Sequence, residues 1–277
     1  MKEFQSFFQT VGGNEGSKCH YPTRLDTYGR GCQHNCLYCY AKSLLQFRYL
    51  WNASKPAVAD ISQIRKIMDK NLKEGDIVRL GGMTDCFQPL ECEQRVTYQT
   101  IEELNRHNVG YLIVTKSDLV ADDEYLSILR PELAHIQITV TSTDDAFSQR
   151  YENAVPPSRR IKAIEKLWRL GYDVSLRLSP FIPQFIRAGY LDIDRINAIE
   201  CDKVVVEFLR VNAWIKRWFN IDYREYTYSE GGYQHMTISR KHHYLKMITG
   251  FKEKTVCEDV THHYQYWQRN VNYNTED

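Results

Sequence analysis

Six short apolar runs alternate with amphipathic stretches along the first three quarters of this 277-residue chain. The apolar runs are Thr23 to Tyr28, Asp76 to Gly81, Tyr111 to Thr115, His135 to Thr141, Asp173 to Leu178 and Lys203 to Phe208. Each is bounded by turn residues and has the length of a strand. Between them Ala41 to Trp51, Asp60 to Leu72, Arg95 to His107, Asp122 to Leu129, Ser158 to Leu170 and Ile193 to Ile199 place apolar residues at helical spacing. Gly171 stands where a C-cap glycine belongs. Strands that alternate with helices imply a parallel sheet with right-handed crossovers, and six such units suit an open partial barrel better than a closed eightfold one. The expected fold class is therefore α/β, a partial (β/α)6 TIM-like barrel over residues 1–210, followed by a C-terminal extension over 211–277.

In such barrels the loops after the strands build the functional site. The polar segments fall there: Cys32 to Cys39, Gly81 to Asp85, Thr115 to Ser117, Thr139 to Thr143, Arg177 to Pro180 and Glu207 to Arg210. The first is the most specific. Cys32, Cys36 and Cys39 stand at gaps of three and two residues, and three thiolates that hold a cubane iron–sulfur cluster leave one iron open to a small molecule. The competing reading is a zinc site, whose fourth ligand would have to be His34, Cys19 or His20; no paired Cys or His spacing recurs downstream to support it. Eight cysteines in this length, three of them crowded together, do not make a disulfide-stapled secreted domain.

Hydrophobic residues make up 43% of the chain, yet no apolar run approaches the roughly 20 residues of a membrane helix, and Met1 opens no signal peptide, so a cytoplasmic location without a membrane partner is expected. With 36 Lys and Arg against 35 Asp and Glu, any nucleic-acid surface must be local.

Beyond the cysteine loop, the chain carries Gly81 to Glu91 (GGMTDCFQPLE), Val114 to Leu119 (VTKSDL) and Ser175 to Pro183 (SLRLSPFIP). In this set and order it resembles the radical S-adenosylmethionine (SAM) enzymes, in particular their spore photoproduct lyase-like branch. The resemblance spans roughly residues 23 to 210 and implies a [4Fe-4S] cluster on Cys32, Cys36 and Cys39, with SAM on the open iron. It implies that Gly81 and Gly82 lend backbone to the SAM amine, that Lys116 pairs with its carboxylate, and that Thr84 and Thr141 contact it. A reductant protein of the flavodoxin or ferredoxin type is the implied electron source. Glycines at 81 and 82 also read, without the family, as a turn that needs unusual dihedrals.

Tyr38 and Tyr40 flank Cys39, as a tyrosine pair does in spore photoproduct lyase, which makes them candidates for substrate contact or hydrogen-atom relay, Tyr38 foremost. One position departs from that branch: the hydrogen-donating cysteine it carries three residues before the aspartate matching Asp85 is Gly82 here. Cys86 is the alternative donor. In the last quarter, Gly231-Gly232 marks a hairpin turn within Arg224 to Tyr233. Arg240 and Lys241 open a basic cluster through Tyr244, and Trp267, Arg269 and Tyr273 continue an aromatic and basic mixture that could grip a phosphate backbone and stack on a base. His262 and His263 read as surface histidines. The expected function is a 5′-deoxyadenosyl-radical enzyme that repairs a thymine lesion in DNA. The alternatives are the same chemistry on a nucleoside or peptide, and a zinc-stabilised binding module.

Overall fold

The computed structural model describes residues 6–46 and 48–272. One eight-stranded sheet dominates, in the order Phe7–Thr10, Thr23–Asp26, Ile77–Leu80, Gly110–Thr115, Ala134–Thr139, Asp173–Phe181, Lys203–Phe208 and Glu253–Cys257. Its six inner strands are the six expected from the sequence, adjacent in chain order and all parallel. The fold is a parallel α/β partial barrel, as the alternation predicts.

Two edge strands lie outside that expectation. Phe7–Thr10 pairs antiparallel with Thr23–Asp26. Glu253–Cys257 pairs parallel with Lys203–Phe208, placing Cys257 beside Glu207. The sheet therefore extends past residue 210, and the expected boundary there does not coincide with its edge. The strand Glu253–Cys257 is short and half polar, so nothing local announces it; its pairing with Lys203–Phe208 supplies its order.

Side chains alternate across a strand, and here the alternation separates core from cavity. Val174, Leu176 and Leu178 are buried on one face, while Asp173, Ser175 and Arg177 line an internal cavity on the other. Val204 and Val206 likewise oppose Lys203, Val205 and Glu207. The outer apolar face is covered by helices such as Ile61–Asn71, whose start Asp60 caps by accepting from the Ser62 N–H, and which buries Ile64 and Met68 as it packs near Val96–Arg106. Each such buried aliphatic side chain contributes about 1.5–3 kcal/mol. Pro157–Arg169 begins with proline in its first turn and stops before Gly171, which takes φ +81°.

Past the barrel, Tyr228–Glu230 and Tyr233–His235 form the expected hairpin, turned by Gly231 and Gly232 at φ +62° and +81°. Helices Ala213–Trp218, Ile238–Leu245 and Thr261–Asn270 complete this region. Tyr273 lies outside the described residues.

Candidate active site

The cysteine loop is shaped by its own backbone and stitched to the segment that follows strand Ala134–Thr139 and the short helix Asp145–Ser148. Arg30 and Asn35 adopt left-handed φ of 56° and 42°. The Leu37 N–H donates to the Tyr151 carbonyl and the Asn153 N–H to that of His34. Gln33 bridges to the loop after Gly81–Gly82, its N–H donating to Gln88 Oε1 at 2.8 Å and its Oε1 accepting from the Leu90 N–H at 2.6 Å. So anchored, Cys32, Cys36 and Cys39 all line one cavity of about 220 Å³, with Gly81, Gly82, Thr84 and Lys116 on the same wall.

Burial pushes the Cys32 thiol up to about 12 and the Cys36 thiol upward as well. Dry thiols of this kind become thiolates when a cationic metal group takes the proton's place. A single zinc ion does not suit them. Zinc–sulfur bonds of about 2.3 Å hold two thiolates no more than about 4.6 Å apart. Among the described residues the one set of three potential ligand atoms within 4.8 Å of one another is His235, Glu258 and Asp259, not the cysteines. Three thiols spread around a cavity fit a multinuclear cluster, and the zinc alternative loses its geometric basis.

Asp85 lines the same cavity. Its carboxylate accepts from the Thr115 hydroxyl and the Lys116 N–H, both at 2.7 Å, and lies 3.1 Å from His34 Nε2. Burial alone would raise its pKa, but His34, Thr115 and the Lys116 N–H outweigh that and hold it below the usual carboxylate range. His34 faces Asp85 through Nε2, while its Nδ1 is buried without a hydrogen-bond partner.

Gly81 takes φ +79°, and a Cβ there would sit 2.9 Å from the Val114 carbonyl oxygen. Gly81→Ala therefore costs about 1–3 kcal/mol, from left-handed strain plus displacement of the neighbouring strand. Denaturant unfolding checks this, and a loss below about 0.5 kcal/mol would mean that the turn does not need glycine. The Gly82 N–H donates to Asp26 Oδ1 at 2.7 Å and its carbonyl accepts from the Tyr40 hydroxyl at 3.0 Å. A Cβ on residue 82 would meet Arg24 Cδ at 2.9 Å. Where the spore photoproduct lyase-like pattern carries cysteine, Arg24 fills the room.

The remaining expected site residues separate. Lys116 lines the cysteine cavity, with its ammonium 5.7 Å from the centre of the Tyr38 ring. Thr84 lines it too, with its hydroxyl donating to the Tyr28 carbonyl at 2.7 Å. Thr141 does not: it is buried, 3.1 Å from the Tyr151 hydroxyl, and Thr139 takes the wall instead. Cys86 is buried in the core and off the walls of the cavities, its thiol held far above the usual range by burial. Tyr38 has its hydroxyl buried against Glu152, which is itself paired with Arg160. Tyr40, by contrast, lines all three cavities around the site. Tyr38, the foremost relay candidate, lines the smallest of the three with Cys36, Cys39 and Lys116, with its hydroxyl turned to Glu152.

Arg240 and Lys241 do not form one basic surface. Lys241 is 1% exposed and bonded to Glu258 and to His263 Nδ1. It ties helix Ile238–Leu245 to the segment after the last strand. Arg240 is exposed, 3.7 Å from Glu225, and outside the cavities. His263 and Trp267 are buried rather than superficial.

A larger cavity, about 830 Å³, fills the barrel interior. It shares Arg24, Tyr40, Arg79, Arg177, Glu207 and Arg210 with the cysteine cavity. Glu207 accepts from Arg177 and from the Ser179 hydroxyl; burial opposes its ionisation, but Arg177, Arg210, Ser179 and Arg79 bring it down to about 2. Arg210 stacks over the Tyr40 ring at 4.3 Å and donates to Asp259 at 2.8 Å, joining the segment after Glu253–Cys257 to the cavity lining. Arg24 and Arg79 were not singled out from the sequence. Their signal is the strand alternation, which puts both on the face opposite Leu25 and Leu80.

Residues 27–185 match the family described as the Radical SAM superfamily. Among solved structures, spore photoproduct lyase complexed with dinucleoside spore photoproduct aligns with a TM-score of 0.65 at 13% identity, over 91% of this chain and 79% of that one. A radical SAM methyltransferase from Sphaerobacter thermophilus aligns with a TM-score of 0.53 at 12% identity, over 84% of this chain and 65% of that one. At such identities the likeness is one of fold. An uncharacterised protein of Methanocaldococcus jannaschii is 25% identical over 167 residues, which is 58% of this chain and 61% of the relative, less than two thirds of its length.

Proposed function

This chain belongs to the radical SAM superfamily, and on that premise we propose that it abstracts a hydrogen atom from a substrate held in the barrel cavity, with a thymine lesion of the spore-photoproduct type as the first substrate to test. The superfamily's [4Fe-4S] cluster and SAM together supply a 5′-deoxyadenosyl radical after one-electron reduction. Cys32, Cys36 and Cys39 would hold the cluster, the backbone of Gly81 and Gly82 would meet the SAM amine, and Lys116 its carboxylate. A flavodoxin- or ferredoxin-type protein is the proposed electron source. No helix among the described residues is long and apolar enough to cross a membrane.

The observation that carries this reading is the shared wall: the cavity of the three thiols and the larger barrel cavity meet at Tyr40 and Arg210. A substrate seated in the larger cavity would lie next to the cavity of the thiols across that shared lining. Tyr40 stands at that junction, where its hydroxyl both orients the Gly82 carbonyl and faces the substrate space.

Removing one charge-assisted contact costs about 1.5–3 kcal/mol, so Lys116→Ala weakens SAM binding by about one to two decades while the cluster stays bound. Titration of the reconstituted protein with SAM measures this, and an unchanged dissociation constant would place Lys116 outside the SAM pocket.

Anaerobic reconstitution with iron, sulfide, SAM and dithionite, followed by incubation with a spore-photoproduct dinucleotide, tests the function. Formation of 5′-deoxyadenosine and restoration of the two thymines of the dinucleotide, with the bond that cross-links them broken, support the whole reading. Absence of 5′-deoxyadenosine sinks the radical chemistry, whereas its formation without lesion conversion sinks the repair assignment alone. A second reading, the same chemistry on another substrate, is favoured by Arg24 filling the space beside Gly82 and by Lys241 being unavailable to a nucleic-acid backbone.

A further inference from the structure

Arg24 and Arg79 are register partners on neighbouring parallel strands and point to the same cavity. Strands lie about 4.8 Å apart, so the two cationic stems start side by side. Such a pairing of like charges is unfavourable unless something negative joins it. Asp26 lies near both and Glu207 near Arg79, but neither is hydrogen-bonded or ion-paired to them. The Nε of each is buried without a hydrogen-bond partner, and neither guanidinium takes part in an ion pair or hydrogen bond among the described residues. The other arginines of the barrel interior differ: Arg160 has Glu152, Arg177 has Glu207 and Arg210 has Asp259.

The cysteine cavity, which adjoins the larger one, carries an excess of positive charge among its lining residues. Arg24, Arg79, Lys116, Arg177 and Arg210 face only Asp85 and Glu207 there. Asp85 is already engaged by His34, Thr115 and the Lys116 N–H, and Glu207 by Arg177 and Ser179. The nearest further carboxyl, Asp26, receives the Gly82 N–H, and burial raises it to about 7, so it is a poor counter-charge. Gly82 is part of the arrangement, since any Cβ there would push Arg24 out of its place.

We propose that Arg24 and Arg79 together bind an oxyanion of the substrate, a phosphate or a carboxylate, and so select an anionic substrate whose charged group sits where the cysteine cavity opens into the barrel. The assignment rests on the radical reading above for the reaction, but the anion site itself is testable without turnover. Two guanidinium forks side by side offer an oxyanion paired N–H donors, a geometry lysine cannot reproduce.

The test compares wild-type reconstituted protein with Arg24→Gln/Arg79→Gln and with Arg79→Lys, by thermal unfolding in inorganic phosphate, acetate or chloride at equal ionic strength. In wild type, phosphate or acetate raises Tm relative to chloride; a larger response to phosphate identifies a phosphoryl source and to acetate a carboxylate. The double variant loses that response, with at least a tenfold weaker apparent affinity, and is no less stable than wild type in chloride, because an unpaired charge pair has been removed. Arg79→Lys keeps the charge and retains only part of the response. An equal anion response in the double variant, or a lower Tm in chloride, overturns the proposal. A tenfold loss of SAM affinity in the double variant also overturns it, by giving the pair to the SAM carboxylate. Failure of wild type to cleave SAM would remove the radical reading and leave the anion result standing.

Discussion

Replacing any one of Cys32, Cys36 or Cys39 with alanine removes most of the bound iron and abolishes 5′-deoxyadenosine formation. Each thiolate binds one iron, and the cavity lining holds no cysteine besides these three to take the place of one that is lost. Cys86 cannot migrate into the role, because it is 1% exposed and held in the core. The fold survives the change: the loop is anchored through Gln33, Leu37 and Asn153, none of whose hydrogen bonds involve a thiol. Iron content and SAM cleavage are measured on the anaerobically reconstituted variants, with circular dichroism as the control for folding. A single variant that retains wild-type 5′-deoxyadenosine formation would falsify the assignment.

Glu152→Ala destabilises the protein by about 3–5 kcal/mol. Glu152 and Arg160 form an ion pair in which both side chains are 0% exposed. Truncating the carboxylate leaves a guanidinium in the core with only the Thr139 carbonyl, 2.8 Å from its Nη1, and deprives the Tyr38 hydroxyl of its acceptor. Replacing both partners by apolar residues, Glu152→Leu with Arg160→Met, costs less than the single change, because no charge is then stranded. Denaturant midpoints for Glu152→Leu, Arg160→Met and the double close the cycle; additive effects would show that the pair is not coupled. The pH dependence has a definite sign. Burial raises the Glu152 carboxyl, but Arg160, Lys116 and Tyr38 outweigh burial and hold it below its ordinary value of 4.5. A depressed carboxylate contributes stability that is present above the unfolded value and lost as pH falls through the folded one. Wild type therefore loses this contribution in acid below about pH 4.5, and the double apolar variant does not. The same substitution reaches the site: Tyr151 and Asn153, on either side of Glu152, hold the cysteine loop, so Glu152→Ala also lowers iron retention.

The alternation of strands and helices, the cysteine spacing and the Gly231-Gly232 turn were legible in the sequence because each is a local signal. A strand's period of two, a helix's stripe and a glycine at positive φ depend on neighbours a few residues away. The six inner strands accordingly stand where the sequence puts them, in chain order and parallel. The three cysteines line one cavity for a related reason: they share a loop that follows a barrel strand.

What the sequence could not determine is which side chains meet. Lys241 looks like surface charge beside Arg240, and only the return of the chain through Glu253–Cys257 brings Glu258 and His263 to bury it. Tyr38 and Tyr40 look alike around Cys39, yet one hydroxyl turns to Glu152 in the core and the other to Gly82 at the cavity wall. Cys86 follows Asp85 directly, yet one side chain lines the cavity and the other is buried in the core. Arg24 and Arg79 lie far apart in the chain and become opposed, unpaired charges only because their strands are neighbours in register. Local pattern determines the element and its face; the partner of a buried charge depends on which distant element arrives across from it, and that is a property of the assembled barrel.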